Sequence, residues 1–263
     1  MAVETRKYTI QNIEAVTGYS LEDGTLYFRA EDLQSGSMTN AQETVYATGK
    51  NGVRISSADR NKTSTFSAEN GTIVEGILAT QVGSEVETIE TAVIPDFYEV
   101  IAVAGNKAIT TYAAVSDVVG NEIKGLYVKN ADGTAGKKFG AEEFSYAPET
   151  KTITITGGAE GVKEVIVVYD YKVKGVKHIQ NRDDKFSKML RAVFDIICQD
   201  VCSGKSYLGK IIYPKGKMSG NFDLTFGNDF SVQKLEIEAL SGGCSGAGNV
   251  LWDFYVYDAD EAV

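Results

Sequence analysis

The sequence holds one histidine, His178, in 263 residues. Histidine is the usual general base near neutral pH and the commonest metal ligand. A Ser-His-Asp triad would have to use that single ring, and a site built on several imidazoles is excluded. His178 itself lies in a polar, charged stretch with no nearby nucleophile and reads as an exposed side chain. Cysteine is scarce as well, with Cys198, Cys202 and Cys244. The N-terminal stretch carries Glu4, Arg6 and Lys7 and no apolar core of an export signal. Together with an odd cysteine count, this leads us to expect reduced thiols and a chain that stays in the cytoplasm where it is made. Cys198 and Cys202 are four apart, a spacing that shares one face of a helix but is too long for a bond along a strand. A zinc site would want four ligands, and His178 is the only histidine that could join the thiols. We therefore expect idle thiols, no metal and no cofactor. No apolar run approaches the roughly 18 residues of a membrane-crossing helix, so no helical span is expected. A phosphate-binding GxxxxGK[ST] loop is also missing. The glycine-rich run from Gly242 to Gly248 lacks the lysine and the strand-to-helix setting, and reads as a loop between strands.

Acid is abundant: 36 Asp and Glu face 26 Lys and Arg, for a net charge of −10. That balance argues against gripping nucleic acid along its length, which needs a basic footprint. Carboxylate-only catalysis is formally open, but no pair of acids stands out from the surface population, and calcium-loop spacing is absent. We assign no catalytic residue and expect a protein that is not an enzyme.

Period-two alternation of apolar and polar residues runs through much of the chain, which signals β-strands. Residues 7–10 and 25–29 are early examples, joined through a turn at Glu22-Asp23-Gly24. One segment, about 70–82, reads as helix. Ile73, Val74, Ile77, Leu78 and Val82 make an apolar stripe, with Asn70 as N-cap, Gly83 as C-terminal stop and Gly76 as an awkward interior residue. The fold expected is mainly β: a barrel or sandwich with this helix flanking it.

Between 83 and 99 the chain carries Glu85, Glu87, Glu90, Asp96 and Glu99 and no basic residue, which suggests an exposed connector. Strand candidates then follow at 98–104, 108–113, 122–129, 152–156 and 164–171. Their turn spacing suggests a small β-sandwich inserted at 97–173 into a parent domain made of 1–96 and 174–263. After it comes a basic stretch, 176–191, with Lys177, Arg182, Lys185, Lys188 and Arg191 against Asp183 and Asp184. Residues 186–197 admit either a helical threading or a buried strand at 192–197, and the strand is preferred. Alternation resumes at 222–226, 230–240 and 251–257, ahead of an acidic tail.

The polar stretch from Gln34 to Asn70 is the most unusual. Structureless loops beyond about 12–15 residues are usually functional or disordered. This one holds β-prone islands, Val45-Tyr46-Ala47 and Val53-Arg54-Ile55-Ser56. It reads either as a mobile surface loop or as an extended hairpin, an arm at about 34–66 projecting from the body and able to add strands to a neighbour.

The run Lys50-Asn51-Gly52-Val53-Arg54-Ile55-Ser56-Ser57-Ala58-Asp59-Arg60-Asn61-Lys62-Thr63-Ser64-Thr65-Phe66-Ser67 resembles the hairpin arm of bacteriophage major tail proteins, the subunits of the tail tube. Residues 220–226 and 230–240 are similar to their penultimate strands, Leu251-Trp252-Asp253-Phe254-Tyr255 fits their closing strand, and 97–173 is similar to an extra β segment in tail proteins of phages of Firmicutes. The resemblance implies a tail-tube-type β-barrel or sandwich in which six subunits close a ring, rings stack, and DNA passes through the lumen without being gripped. It implies inter-subunit and inter-ring contacts through the arm, at Thr44, Val45, Tyr46, Lys50, Val53, Arg54, Ile55, Arg60 and Lys62. Implied partners are further copies of the chain and the tail terminator, tail initiator and tape-measure proteins. The implied location is the virion tail, assembled in the host cytoplasm. Two other readings are a capsid decoration or adhesion module, suggested by the inserted β segment, and a carboxylate-based glycan-active enzyme, suggested by abundant Tyr and Asp on a β scaffold.

Overall fold

The computed structural model describes residues 7–118, 120–224, 232–241 and 249–258. In chain order its elements are β1 (Tyr8–Tyr19), β2 (Leu26–Ala30), β3 (Leu33–Thr48), β4 (Arg54–Asn70), α1 (Glu75–Val82), β5 (Glu87–Ala102), β6 (Lys107–Ile109), β7 (Ala114–Val115), β8 (Ile123–Lys129), β9 (Ala135–Lys138), β10 (Phe144–Ala147), β11 (Thr152–Ile155), β12 (Glu164–His178), β13 (Met189–Asp200), β14 (Ser206–Met218), β15 (Gln233–Ala239) and β16 (Asp253–Tyr257). Two compact units divide them: Met1–Val86 with Ile179–Val263, and Glu87–His178.

The first unit is one antiparallel sheet in the order β2-β1-β13-β14-β15-β4-β3. β14 forks: residues 208–212 pair with β16 and residues 216–218 with β15. Alternation explains the strands. In β15, Gln233, Leu235, Ile237 and Ala239 are buried while Lys234, Glu236 and Glu238 are exposed. The sheet curls on itself, since Phe66 of β4 meets Phe194 of β13 with ring centroids 4.2 Å apart although β14 and β15 lie between them. Inside the curl lie Val16, Phe28, Ile77, Leu190, Tyr213, Met218 and Leu235. Buried Tyr213 shares a 2.9 Å hydrogen bond with Ser64, so its hydroxyl is satisfied in the core. Among the described residues the edge strands β2 and β3 do not hydrogen-bond to each other, so of the expected barrel or sandwich the structure has the sandwich-like form, a sheet curled over its core without closing.

One helix, α1, flanks this sheet and begins later than the expected 70–82. Asn70 is the last residue of β4, opposite Leu33 and Gln233, and its amide donates to Thr72 O at 2.7 Å. It is therefore a strand terminus and not the N-cap. The N-cap position is Val74, which has no capping side chain of its own. Its N–H instead donates to Gln233 Oε1 at 2.8 Å, a cap supplied from β15. Gly83 ends the helix in the left-handed region at φ 73°, its N–H on Ala79 O.

Gly76 has a packing reason. A Cβ there would lie 2.2 Å from the carbonyl oxygen of Tyr27 in β2. In an isolated helix, Gly76→Ala would stabilise by about 1 kcal/mol. Here it must push α1 off β2, and we expect a loss of about 1–3 kcal/mol in denaturant unfolding. An unchanged or raised midpoint would contradict the packing described.

The second unit pairs a sheet of β5-β12-β8-β9, with β7 also on β12, against a smaller sheet of β10-β11-β6. Ala108, Leu126, Phe139, Ile153, Ile155, Val165, Val167 and Tyr169 fill the space between them. The geometry is a β-sandwich. The exposed connector expected at 83–99 is instead largely strand: β5 runs from Glu87 and pairs with β12 as far as Glu87 opposite His178. Of the expected strand at 108–113 only residues 108 and 109 are strand, in β6; residues 110–113 form a break before β7, where Thr110 Oγ1 donates to Tyr112 O at 2.7 Å. The preferred strand reading of 192–197 matches β13. Residues 242–248 with Cys244, the strand stretches within 225–231, and Asp260 and Glu261 lie outside the described residues.

Candidate assembly surface

β3 and β4 form one long hairpin. Its base belongs to the curled sheet, where β4 pairs with β15 from Thr65 to Asn70. From Ser64 to Asn70 every second residue of β4 is buried, while none is buried from Arg54 to Thr63. Beyond the base the two strands pair only with each other. At the rise of a β-strand this free part extends about 30 Å.

Local chemistry explains why it stays paired without a core. At the tip, Gly49 N–H donates to Val53 O at 2.7 Å, and Asn51 and Gly52 take φ of 67° and 73°. Consecutive left-handed residues suit Asn-Gly and reverse the chain tightly. Nearer the base the register shifts between Ala41 and Glu43, and Asn61 sits in the left-handed region at φ 53°. This bulge brings Arg60 Nη2 and Asn61 Nδ2 each within 2.7 Å of the Glu43 carboxylate. The Arg60 guanidinium and then the Asn61 amide hold that carboxyl below its usual range. Thr44 Oγ1 donates to Asp59 Oδ1 at 2.7 Å across the pair. A second register shift, between Ala47 and Thr48, sets Arg54 opposite Thr48 and its guanidinium 3.9 Å from the Tyr46 ring centroid. Trp252, just before β16, donates from Nε1 to Asn40 Oδ1 at 3.0 Å and braces the base.

All nine arm residues expected at contacts lie on this hairpin. Thr44, Arg54 and Arg60 are engaged in holding it, and Tyr46 lies under Arg54. Val53 and Ile55 are 61% and 68% exposed, and Val45 is exposed too. Lys50 and Lys62 are exposed and make no ion pair among the described residues. The arm thus leaves apolar side chains and cations exposed along its free length. Sequence reasoning missed Glu43 and Asn61, which hold the bulge. The only signal was an asparagine, a residue tolerant of positive φ, inside a strand pattern.

No group of three His, Cys, Asp or Glu side chains that could hold a metal occurs among the described residues. Cys198 is buried in β13 and Cys202 exposed in the turn after it, both as free thiols, with burial raising the Cys198 thiol pKa. His178 is exposed at the end of β12, 3.5 Å from Glu87. No helix among the described residues is long and apolar enough to cross a membrane.

No curated protein matches the chain. The family model of the YomU/Tube protein family matches residues 8–251, spanning both sheet units and the whole arm, and the chain belongs to that family, in accord with the tail-tube resemblance carried by its residues.

Proposed function

We propose that the chain is the repeating subunit of a phage tail tube, with six copies closing a ring and rings stacking into a channel for DNA delivery. The observation that carries the reading is the arm, a hairpin of about 30 Å that buries nothing within its own chain. A ribbon with two open edges and exposed Val45, Val53 and Ile55 gains by laying itself along a neighbour. On this reading Thr44, Val45, Tyr46, Lys50, Val53, Arg54, Ile55, Arg60 and Lys62 make the contacts between subunits and between rings. A tail terminator, a tail initiator and a tape-measure protein cap and fill the tube. Assembly takes place in the host cytoplasm and the product is part of the virion.

The net charge of −10 supports the conduit. Acidic walls repel phosphates and let DNA slide, whereas basic walls hold it through counterion release. The role is structural and needs no active site. Mass photometry of the purified chain tests the ring. The expected species is six times 28.4 kDa, about 170 kDa, or multiples of it. A mass fixed at 28.4 kDa under all conditions refutes the reading.

A further inference from the structure

We infer that the ribbon made by residues 87–93 of β5 and 172–178 of β12 is a head-to-tail docking surface for a second copy of this chain, with the acidic edge of one ribbon pairing with the basic edge of the next. The inference rests on the self-assembly proposed above and names a surface for it on strands other than those of the arm.

β5 pairs only with β12, and past Tyr171 β12 pairs only with β5. Among the described residues each strand of this ribbon therefore keeps one unpaired edge. Such an edge presents a row of N–H and C=O groups that template a further strand, and a two-stranded ribbon alone is marginal in water. The two edges differ in charge. The β5 strand brings Glu87 and Glu90 and no cation, while the β12 strand brings Lys172, Lys174 and Lys177 and no acid. All five side chains are exposed.

Little of this charge is neutralised inside the ribbon. Lys172 lies opposite Val93 and Lys174 opposite Thr91, and Lys177 Nζ donates to Thr88 Oγ1 at 2.7 Å. His178 approaches Glu87 at 3.5 Å. The complementary partner for a lysine row is an acidic strand, and the same chain carries one on its other edge. A head-to-tail relation places β5 of one copy beside β12 of the next in the antiparallel sense, so the sheet continues from copy to copy. Like charge repels β12 from β12 and β5 from β5, which selects this pairing over a two-fold one. Pro95, followed by Asp96 at φ 55°, ends the pairable edge of β5 and limits its register.

The test uses the full chain in assembly assays by light scattering and electron microscopy. Lys172→Glu with Lys174→Glu is expected to raise the concentration needed for assembly by about tenfold, because it sets acid against acid. Glu87→Lys with Glu90→Lys should do the same by setting base against base. The four substitutions together should bring the threshold back to within about threefold of wild type, since the edges are again complementary. Circular dichroism checks that each variant keeps its β content. Wild-type assembly indifferent to Lys172→Glu with Lys174→Glu overturns this inference alone, and so does failure of the fourfold, natively folded variant to recover. A wild-type chain that never assembles overturns the tube reading beneath it.

Discussion

Replacing residues 42–62 with an Asn-Gly turn is expected to abolish tube assembly and leave the first unit folded. The cut falls just past the Ala41–Thr63 pair, and none of the removed residues is buried. A two-residue Asn-Gly loop closes an antiparallel pair in the turn type its twist favours. What remains of β4 keeps its pairing with β15 and its buried Phe66 and Ala68. What is lost is the whole of the free ribbon with its exposed Val45, Val53 and Ile55. Association that depends on many repeated contacts fails cooperatively, so the expected result is loss of tubes and not a modest weakening. The thermal midpoint should move by only a few degrees. Tubes of normal length from the shortened chain would show that the arm is not the bridge.

Phe194→Ala is expected to have the largest effect on stability. Phe194 is 1% exposed and sits where the sheet folds over, 4.2 Å from the Phe66 ring and 5.0 Å from the Tyr213 ring, measured between centroids. Its removal takes away buried apolar area and leaves a cavity lined by strands that belong to one continuous sheet and cannot close independently. Losses for such truncations run about 3–5 kcal/mol, which for a unit of this size lowers the thermal midpoint by on the order of 10 °C. Differential scanning calorimetry reads this directly. A shift under about 2 °C would mean that the curl is not held by this aromatic contact.

Local chemistry made much of this fold legible, and long-range pairing hid the rest. Strand alternation in 233–239 showed directly, because one face is buried and the period is two, whereas the apolar run 192–197, with Ala192, Val193 and Phe194 all buried, left helix and buried strand both open. Gly83 announced the helix end because its requirement is local. The helix start was misplaced because Asn70 looks like a cap in isolation, whereas its strand pairs and the cap from Gln233 come from the far side of the sequence. The segment at 83–99 read as a connector because its charge is one-sided. Its partner strand, 164–178, lies far along the chain, and pairing of that kind leaves no mark on either strand alone. β9 and β10, four residues each, carry too little pattern to register. The arm stood out for a different reason: its polar composition with β-prone islands fits no core, and it builds none.

The most direct measurement is electron microscopy of the purified full-length chain, alone and with a tail initiator, with end-on particles averaged without imposed symmetry. The account predicts rings of six with an axial channel, stacking into tubes. Particles that remain monomeric in every assembly condition, or that close without a channel, would contradict it.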